Sequence, residues 1–237
     1  MTDVLLAVKN LVKDFNHGEK TLQILKSVDL EILHGESVAV LGASGAGKST
    51  LLHLLGGLDK PTSGKIYFKE ADITKYNSRE LAAYRAEKIG FVFQFHHLLQ
   101  AFTAVENVMI PCLIRKISRQ KASDKAHRAL ELVGLSHRKT HRPGQLSGGE
   151  QQRVAIARAI VMEPSIIFAD EPTGNLDSTT GQKINDLLFD LNAKLGTTLF
   201  VVTHNIQMAA NFSRQITLAD GVITGDVYRE QTDEISG

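Results

Sequence analysis

GASGAGKST, from Gly42 to Thr50, is the stretch that decides the fold of this chain. It fits the pattern G-x-x-x-x-G-K-[ST], in which glycines let the backbone wrap closely around an anion. An apolar run over residues 37–41 precedes it and predicts a strand, and TLLHLL, over residues 50–55, predicts a helix. Backbone N–H groups at the start of such a helix point at bound phosphates. The stretch is therefore predicted to be a phosphate-binding loop rather than an ordinary glycine-rich turn.

Two side chains of the loop have defined chemistry. Lys48 is expected to reach the β- and γ-phosphates of a nucleotide, and the Ser49 hydroxyl is expected to hold Mg²⁺. The other predicted nucleotide contacts come from the rest of the loop: Gly42, Ala43, Ser44, Gly45, Ala46, Gly47 and Thr50.

Length and composition narrow the class of protein. The 237 residues suffice for one α/β domain with a buried core, and the formal net charge of +1 favours neither nucleic acid nor an anionic membrane surface. Cys112 is the single cysteine, which excludes a disulfide framework and fits a reducing cytosol. The first nine residues are too short and too charged for a signal peptide, and no apolar run approaches the roughly 20 residues of a membrane span. We expect the chain itself to be soluble.

Three later apolar runs predict buried strands, and each is followed by polar side chains. The runs cover residues 89–93, 165–169 and 197–202. In open α/β sheets, ligand contacts lie at the carboxyl ends of the strands. The polar candidates that follow the three runs are Gln94, the pair Asp170 and Glu171, and His204.

These polar residues fit the chemistry of a phosphate-loop protein. Asp170 fits the acid that holds Mg²⁺ in P-loop NTPases, and Glu171 is placed to orient or deprotonate an attacking water. His204 could bond the γ-phosphate or hold that water. Phe15 lies just before a predicted turn at residues 16–18, where its ring could stack on the nucleotide base; packing into the core fits its spacing equally well.

Other segments give a coarser prediction. Residues 4–8 and 22–32 predict strands, and Ser78 is the predicted cap of a helix that runs to Ala86. Residues 103–135 predict a helical insertion between two strands of the sheet. The polar tail from Arg229 to Gly237 is expected to fray.

LSGGE, from Leu146 to Glu150, precedes a long predicted helix that is closed by Glu163 and Pro164. Ser147, Gly148 and Gly149 at the helix N-terminus predict a second anion site, and a helix cap with two flexible glycines is the alternative.

Taken together, these segments resemble the ATP-binding-cassette (ABC) ATPases over nearly the whole chain and in the expected order. The LSGGE motif after a helical insertion is the most specific feature, since other P-loop classes lack it. The matches are the Walker A loop at Gly42–Ser49, the Q-loop glutamine at Gln94, the signature motif at Leu146–Glu150, Walker B with its catalytic glutamate at Ile166–Glu171, the D-loop at Leu176–Asp177 and the switch histidine at His204.

A finer similarity is to the branch that powers lipoprotein release and macrolide export. It is carried by LLHLLGGLD (51–59), FQFHHLL (93–99) and DEPTGNLD (170–177). Within that branch, FHHLL and the HRP run at 141–143 are most similar to the ATPase subunits of lipoprotein-releasing systems. Two positions depart from the family pattern, because Phe15 stands where tyrosine is common and Asn205 where aspartate is common.

The resemblance implies an α/β fold of the P-loop NTPase class, with a RecA-like core, an N-terminal antiparallel β subdomain and an inserted α-helical subdomain. It implies a single domain over residues 1–237. The core and β subdomain would cover about residues 1–94 and 165–237, and the helical subdomain about residues 95–164.

The resemblance also implies hydrolysis of ATP with Mg²⁺, in a head-to-tail homodimer. Ser49, Asp170 and Gln94 would hold Mg²⁺, while Glu171 acts on the water and His204 positions water and γ-phosphate. Ser147, Gly148 and Gly149 of one cassette would close on the γ-phosphate held by the other, with the D-loop residue Asp177 nearby.

The implied partners are two integral membrane subunits at the cytoplasmic face of the inner membrane, where this chain would be peripheral. They would contact the groove near Gln94 to Phe102 and the helical insertion, through apolar residues at 95, 98, 99 and 102 that are expected to be exposed. Ordinary core packing explains some of these residues equally well. Lipoprotein cargo would be met only indirectly, and no nucleic acid is expected. The alternatives are a macrolide or peptide exporter, a cell-division complex, a soluble cassette protein, and a regulator without turnover.

Overall fold

The computed structural model describes residues 3–18 and 20–229. The strands are β1 (Val4–His17), β2 (Lys20–Leu33), β3 (Ser37–Leu41), β4 (Ser63–Phe68), β5 (Ala71–Asp72), β6 (Ile89–Phe93), β7 (Ile166–Asp170), β8 (Thr198–Val202), β9 (Arg214–Ala219) and β10 (Val222–Tyr228). The helices are α1 (Lys48–Leu55), α2 (Ser78–Lys88), α3 (Ala104–Ile114), α4 (Arg119–Leu132), α5 (Gly148–Ile160), α6 (Ser178–Leu195) and α7 (Ile206–Ala209). Within these described ranges, no helix combines the length and the apolar character needed to cross a bilayer.

The phosphate loop follows a central strand of a six-stranded sheet. Its strands lie in the order β10-β9-β3-β8-β7-β6, running parallel from β9 to β6, while β10 pairs antiparallel with β9. The register places Phe93, Asp170 and Val202 beside one another at the carboxyl ends of β6, β7 and β8. The residues that follow these three therefore leave the sheet at one level, which brings the predicted site residues together.

A four-stranded antiparallel sheet, in the order β2-β1-β4-β5, packs against this core sheet. One continuous apolar cluster joins them, with Leu6 and Ile32 from the first sheet and Val40 and Phe168 from the second. Strands β1 and β2 are longer than predicted. Register shifts, one of them between Val8 and Leu11, interrupt the alternation on which the sequence prediction relied.

Helices α3, α4 and α5 form the insertion between β6 and β7. A second apolar cluster joins them to the other face of the core sheet, through residues such as Leu130 of α4, Ile156 of α5 and Ile167 of β7. The predicted architecture is confirmed: a parallel core sheet, an N-terminal antiparallel sheet and an inserted helical unit. The exact subdomain boundaries stay a prediction.

Two local predictions are wrong. Leu98 was expected to be exposed, yet only 7% of its surface is accessible, because it packs into the cluster formed by the insertion helices. Ser78 does not cap α2. Asn77 does, because its side chain accepts the N–H groups of Arg79 and Glu80, and the Glu80 carboxylate accepts the N–H of Asn77 in return.

The expectation of a frayed tail falls largely outside the described residues. Arg229, the last described residue, donates its backbone N–H to the carbonyl of Ser213.

Candidate functional site

The phosphate loop needs two of its glycines for close packing against neighbouring segments. A Cβ on Gly42 would lie 2.1 Å from the carbonyl oxygen of Leu218. Gly47, the N-cap of α1, has a φ of 102°, and a Cβ there would lie 2.8 Å from a methyl carbon of Leu25. Glycine is thus required at both ends of the turn that leads into α1.

Lys48 lies beneath the loop. Its ammonium donates hydrogen bonds of 2.9 Å to the carbonyls of both Gly42 and Ala43, and the residue is buried. These bonds hold the cation at the centre of the loop, where the N-terminus of α1 also favours negative charge. The arrangement is a positively charged cradle for an anion.

Ser49 and Asp170 bring two oxygen ligands together from different elements. The Ser49 hydroxyl, in the first turn of α1, donates to Oδ1 of Asp170, at the end of β7, over 3.0 Å. Burial raises the pKa of Asp170, although the hydrogen bond from Ser49 opposes the shift. A hydroxyl beside a carboxylate is a donor pair that suits a hard cation such as Mg²⁺.

Glu171 is held at both oxygens of its carboxylate. Nδ1 of His204 lies 2.8 Å from Oε1, and the Thr203 hydroxyl donates to Oε2 over 3.2 Å. The backbone of Glu171 has a φ of 47°, in the left-handed region that non-glycine residues avoid, and its N–H donates to the carbonyl of Val202. Strained backbone of this kind persists only where the surroundings hold it, and it is concentrated at functional sites.

Thr203 was not predicted as a site residue. The available signal was its position: it is the first polar residue after β8, next to His204.

Gln94 forms a reciprocal pair with Asn175, which the sequence did not reveal. The Gln94 amide donates to Oδ1 of Asn175 over 3.0 Å, and the Asn175 amide donates to the backbone carbonyl of Gln94 over 3.1 Å. Gly174 allows this approach, since a Cβ there would lie 2.9 Å from Nε2 of Gln94.

One open cleft collects most of the predicted site. Its lining comes from the phosphate loop, from β2 and from the carboxyl ends of the core strands. The lining residues are Ile24, Ser44, Gly45, Gly47, Lys48, Ser49, Thr50, Gln94, Glu171 and His204.

Phe15 does not line this cleft. Its ring is partly exposed, and the Lys13 ammonium lies 4.7 Å from the ring centroid, in a cation–π contact. Stacking on a nucleotide base stays a prediction for this residue.

The signature segment also lies outside the cleft. Ser147 caps α5 in a capping box with Glu150, whose carboxylate accepts the N–H of Ser147. A Cβ on Gly149 would lie 2.5 Å from a methyl carbon of Thr180, so this glycine packs against the start of α6. Asp177 caps α6 by accepting the N–H of Thr180. The nucleotide contacts predicted for residues 147–149 and 177 stay predictions.

A separate apolar groove runs beside the cleft, between α2, β6, α3 and α5. Its lining is Leu58, Ala82, Arg85, Ala86, Ile89, Gly90, Phe91, Phe93, Pro111, Ile114, Arg158, Ala159 and Met162. Ile114, on the lining, is 69% exposed, and Phe95, two residues after the lining residue Phe93, is 65% exposed.

A family model described as "ABC transporter" matches residues 25–174 of the chain. The chain belongs to the ABC transporter family. This confirms the family predicted from the phosphate loop, the Q-loop glutamine and the signature motif.

Curated relatives and solved structures agree with this assignment. Proteins named "Lipoprotein-releasing system ATP-binding protein LolD" are 52% identical in Syntrophus aciditrophicus, over 92% of this chain and 98% of that protein, and 53% identical in Syntrophotalea carbinolica, over 93% and 97%. A structure described as a dimeric bacterial ABC transporter cassette, MJ0796, is 43% identical, with a TM-score of 0.87 over 95% of this chain and 99% of that chain. The same cassette, in a dimeric post-hydrolysis state bound to ADP and Pi, has a TM-score of 0.86 at 42% identity, over 95% and 99%.

Proposed function

We propose that this ABC protein is the ATP-binding and ATP-hydrolysing subunit of a lipoprotein-releasing transporter. The observation that carries the ATPase assignment is the cleft in which the phosphate loop, Gln94, Glu171 and His204 meet. The cargo assignment rests on the relatives named for lipoprotein release, at about half identity over nearly the whole chain.

In the proposed mechanism, Lys48 and the loop amides hold the β- and γ-phosphates and offset the charge that develops during transfer. Glu171 takes the proton from the attacking water. Thr203 and His204 each bind one oxygen of that carboxylate, which fixes its direction. His204 also lies on the cleft wall, within reach of the water and of the γ-phosphate.

The residues fit Mg²⁺, since Ser49 and Asp170 already place their oxygens 3.0 Å apart. These two side chains, with Gln94 at the cleft wall, would hold the ion. When bound, Mg²⁺ polarises the phosphoryl oxygens. Asp170 must be ionised to serve as a ligand, so the burial that raises its pKa works against metal binding at acidic pH.

A second copy of the chain is proposed to complete each site. Ser147 and Gly149 lie at the N-terminus of α5, outside the cleft of their own chain. In a head-to-tail dimer they would close on the γ-phosphate held by the partner, with Asp177 beside them. The dimeric state in which MJ0796 was solved supports this arrangement.

The apolar groove is the proposed contact for two integral membrane subunits. An exposed apolar surface of this kind marks a site of protein interaction. The groove lining includes Phe93, the residue before Gln94 of the cleft. The segment after Gln94 carries three exposed apolar side chains: Phe95, Leu99 and Phe102. A subunit bound at the groove would therefore contact the segment that contains Gln94. The chain would then lie at the cytoplasmic face of the inner membrane, as a peripheral subunit.

The test is co-purification from detergent-solubilised membranes, followed by ATPase and release assays. We expect two different integral membrane proteins, and release of membrane-anchored lipoprotein on addition of ATP. A single type of membrane partner would indicate a macrolide-type exporter or a cell-division complex. Recovery of no membrane partner would refute the transporter assignment.

A matched pair of variants tests the groove. Ile114→Asp, on the lining of the groove, is expected to abolish co-purification. Val227→Asp, on the opposite edge strand β10, places the same charge on a similarly exposed apolar position and is expected to leave it intact. Equal recovery with both variants would exclude the groove as the contact.

A further inference from the structure

Gln152 is a fully buried amide on α5 that reaches two loops of the active-site cleft. Its Nε2 donates to the carbonyl of Pro172 over 2.7 Å and lies 3.4 Å from the carbonyl of Phe93. These are the residues one position after Glu171 and one position before Gln94. Helix α5 begins at the LSGGE motif, so one side chain connects this helix to both segments.

The environment of Gln152 is unfavourable for a residue with a purely structural role. Among the described residues, its Oε1 has no hydrogen-bond partner, and a buried polar atom without a partner costs folding free energy. An apolar side chain of similar size would avoid that cost, whereas only a donor can hold the Pro172 carbonyl. The one contact that an apolar side chain could not replace is therefore the hydrogen bond from Gln152 to the carbonyl of Pro172.

The segment that Gln152 holds also contains Glu171. The carbonyl of Glu171 accepts the N–H of Gly174, and the carbonyl of Thr173 accepts the N–H of Leu176, which makes residues 171–176 one tight turn. The left-handed backbone of Glu171 stands at its start. The reciprocal pair between Gln94 and Asn175 joins the same turn to the segment after β6.

A second side chain of α5 binds the segment after Gln94. The Arg158 guanidinium donates to the carbonyls of His96 and His97, each over 2.8 Å. Helix α5 thus holds the 93–97 segment at two points and the 171–176 turn at one. Helix α5 therefore links the two segments through side-chain hydrogen bonds.

We propose that Gln152 is a positioning residue for ATP hydrolysis: it fixes the 171–176 turn, and thereby the carboxylate of Glu171, relative to the signature helix and the 93–97 segment. This inference rests on the proposed ATPase function. Gln152 is proposed to contact neither the nucleotide nor the attacking water. It acts through Pro172 on the residue that takes the proton.

The experiment compares Gln152→Leu with wild type and with Asn185→Leu in the purified full chain. Asn185 is a suitable control, because it is also a buried helical amide whose side-chain oxygen lacks a partner among the described residues, and it donates no hydrogen bond to the carbonyl of Pro172 or of Phe93. Because small displacements of reacting groups cost up to about a hundredfold in rate, kcat of Gln152→Leu is expected to fall about tenfold to a hundredfold. KM for ATP is expected to change by less than about threefold, because the phosphate loop is untouched.

A merely structural role would lower the melting temperature of both variants and leave kcat of the folded protein unchanged. A kcat of Gln152→Leu within about twofold of wild type would overturn the proposal. Gln152→Met provides a second variant, since it keeps an unbranched side chain of similar length but removes the donor, and kcat is expected to fall as it does for leucine.

Hydrogen exchange of the amides in residues 173–176 separates failure of this inference from failure of the ATPase assignment. Exchange of this turn is expected to accelerate in Gln152→Leu and to stay at the wild-type rate in Asn185→Leu. If wild type hydrolyses no ATP, the proposed function fails, and the exchange data still test the contact. Unchanged exchange in Gln152→Leu would refute it.

Discussion

Replacing Glu171 with glutamine should stop hydrolysis while ATP binding survives. The substitution keeps the size and shape of the side chain. A glutamine oxygen can still accept from the Thr203 hydroxyl. The contact with His204 is kept with its direction reversed: the glutamine amide donates to Nδ1 when the imidazole carries its proton on Nε2, whereas in wild type Nδ1–H donates to the carboxylate. What is lost is the basic oxygen that receives the proton.

The expected loss of rate follows from removing the general base while its surroundings are kept. A positioned general base contributes about 10²- to 10⁴-fold in rate. At about 1.36 kcal/mol for each factor of ten, the barrier should rise by about 2.7 to 5.4 kcal/mol. Affinity for ATP should change little, because Lys48 and the phosphate loop lie on a different wall of the cleft. With ATP binding intact and hydrolysis blocked, a stable ATP-bound dimer should accumulate.

The assay is kcat at saturating ATP and Mg²⁺, together with the molar mass in solution with and without ATP. Glu163→Gln is the matched control: Glu163 also has a left-handed backbone, with a φ of 54°, but its side chain is exposed and pairs with Lys125 at the end of the helical insertion. This control should keep wild-type turnover. Hydrolysis by Glu171→Gln at close to the wild-type rate would show that Glu171 is not the base.

Three further predictions concern stability and the loop. Arg214→Met removes a guanidinium that is 5% exposed and bonded to the partly exposed carboxylate of Asp226 and to the buried carboxylate of Glu36. The substitution leaves Glu36 without this cation, and breaking a buried pair costs about 3–5 kcal/mol, measurable by urea unfolding. Gly42→Ala forces a Cβ against the Leu218 carbonyl, so ATP binding by calorimetry should be lost and stability should fall by about 1–3 kcal/mol. Burial raises the pKa of Asp170, so the ionised carboxylate destabilises the folded chain at neutral pH. Asp170→Asn should therefore unfold at a higher temperature than wild type at neutral pH without Mg²⁺. The difference in melting temperature should vanish as the pH falls through the raised pKa towards the ordinary value of 3.8.

The three polar residues at the carboxyl ends of the core strands could be predicted from sequence because each stands one or two residues after an apolar strand. In a parallel sheet, the carboxyl ends of neighbouring strands share one edge, so Gln94, Glu171 and His204 had to approach one another once their strands were identified. The phosphate loop could also be predicted from a local pattern, since its glycine spacing and its lysine lie within nine consecutive residues.

What the sequence could not show are contacts between distant segments. Leu98 follows a polar segment and was expected to be exposed, but its side chain packs into the apolar core of the helical insertion. That position depends on how α3 and α5 pack against each other. The pairing of Gln94 with Asn175 joins residues 81 positions apart, and the donation from Gln152 to Phe93 joins residues 59 positions apart. Neither contact follows from a local pattern, because amides occur in many exposed positions where they bind only water.

Each polar group expected to meet nucleotide, metal or water already has a partner inside the chain. Lys48 has two loop carbonyls, Asp170 has Ser49, Glu171 has Thr203 and His204, and Gln94 has Asn175. The site is therefore held in shape before ATP arrives, since an unpaired buried charge or amide would be costly. Binding then exchanges internal hydrogen bonds for bonds to the ligand, so the net affinity is the difference between two satisfied states and falls well below the sum of the new contacts. Thr203 and Asn175 are the internal partners to which no ligand contact is assigned, and they thus act on the geometry and the rate more than on the affinity.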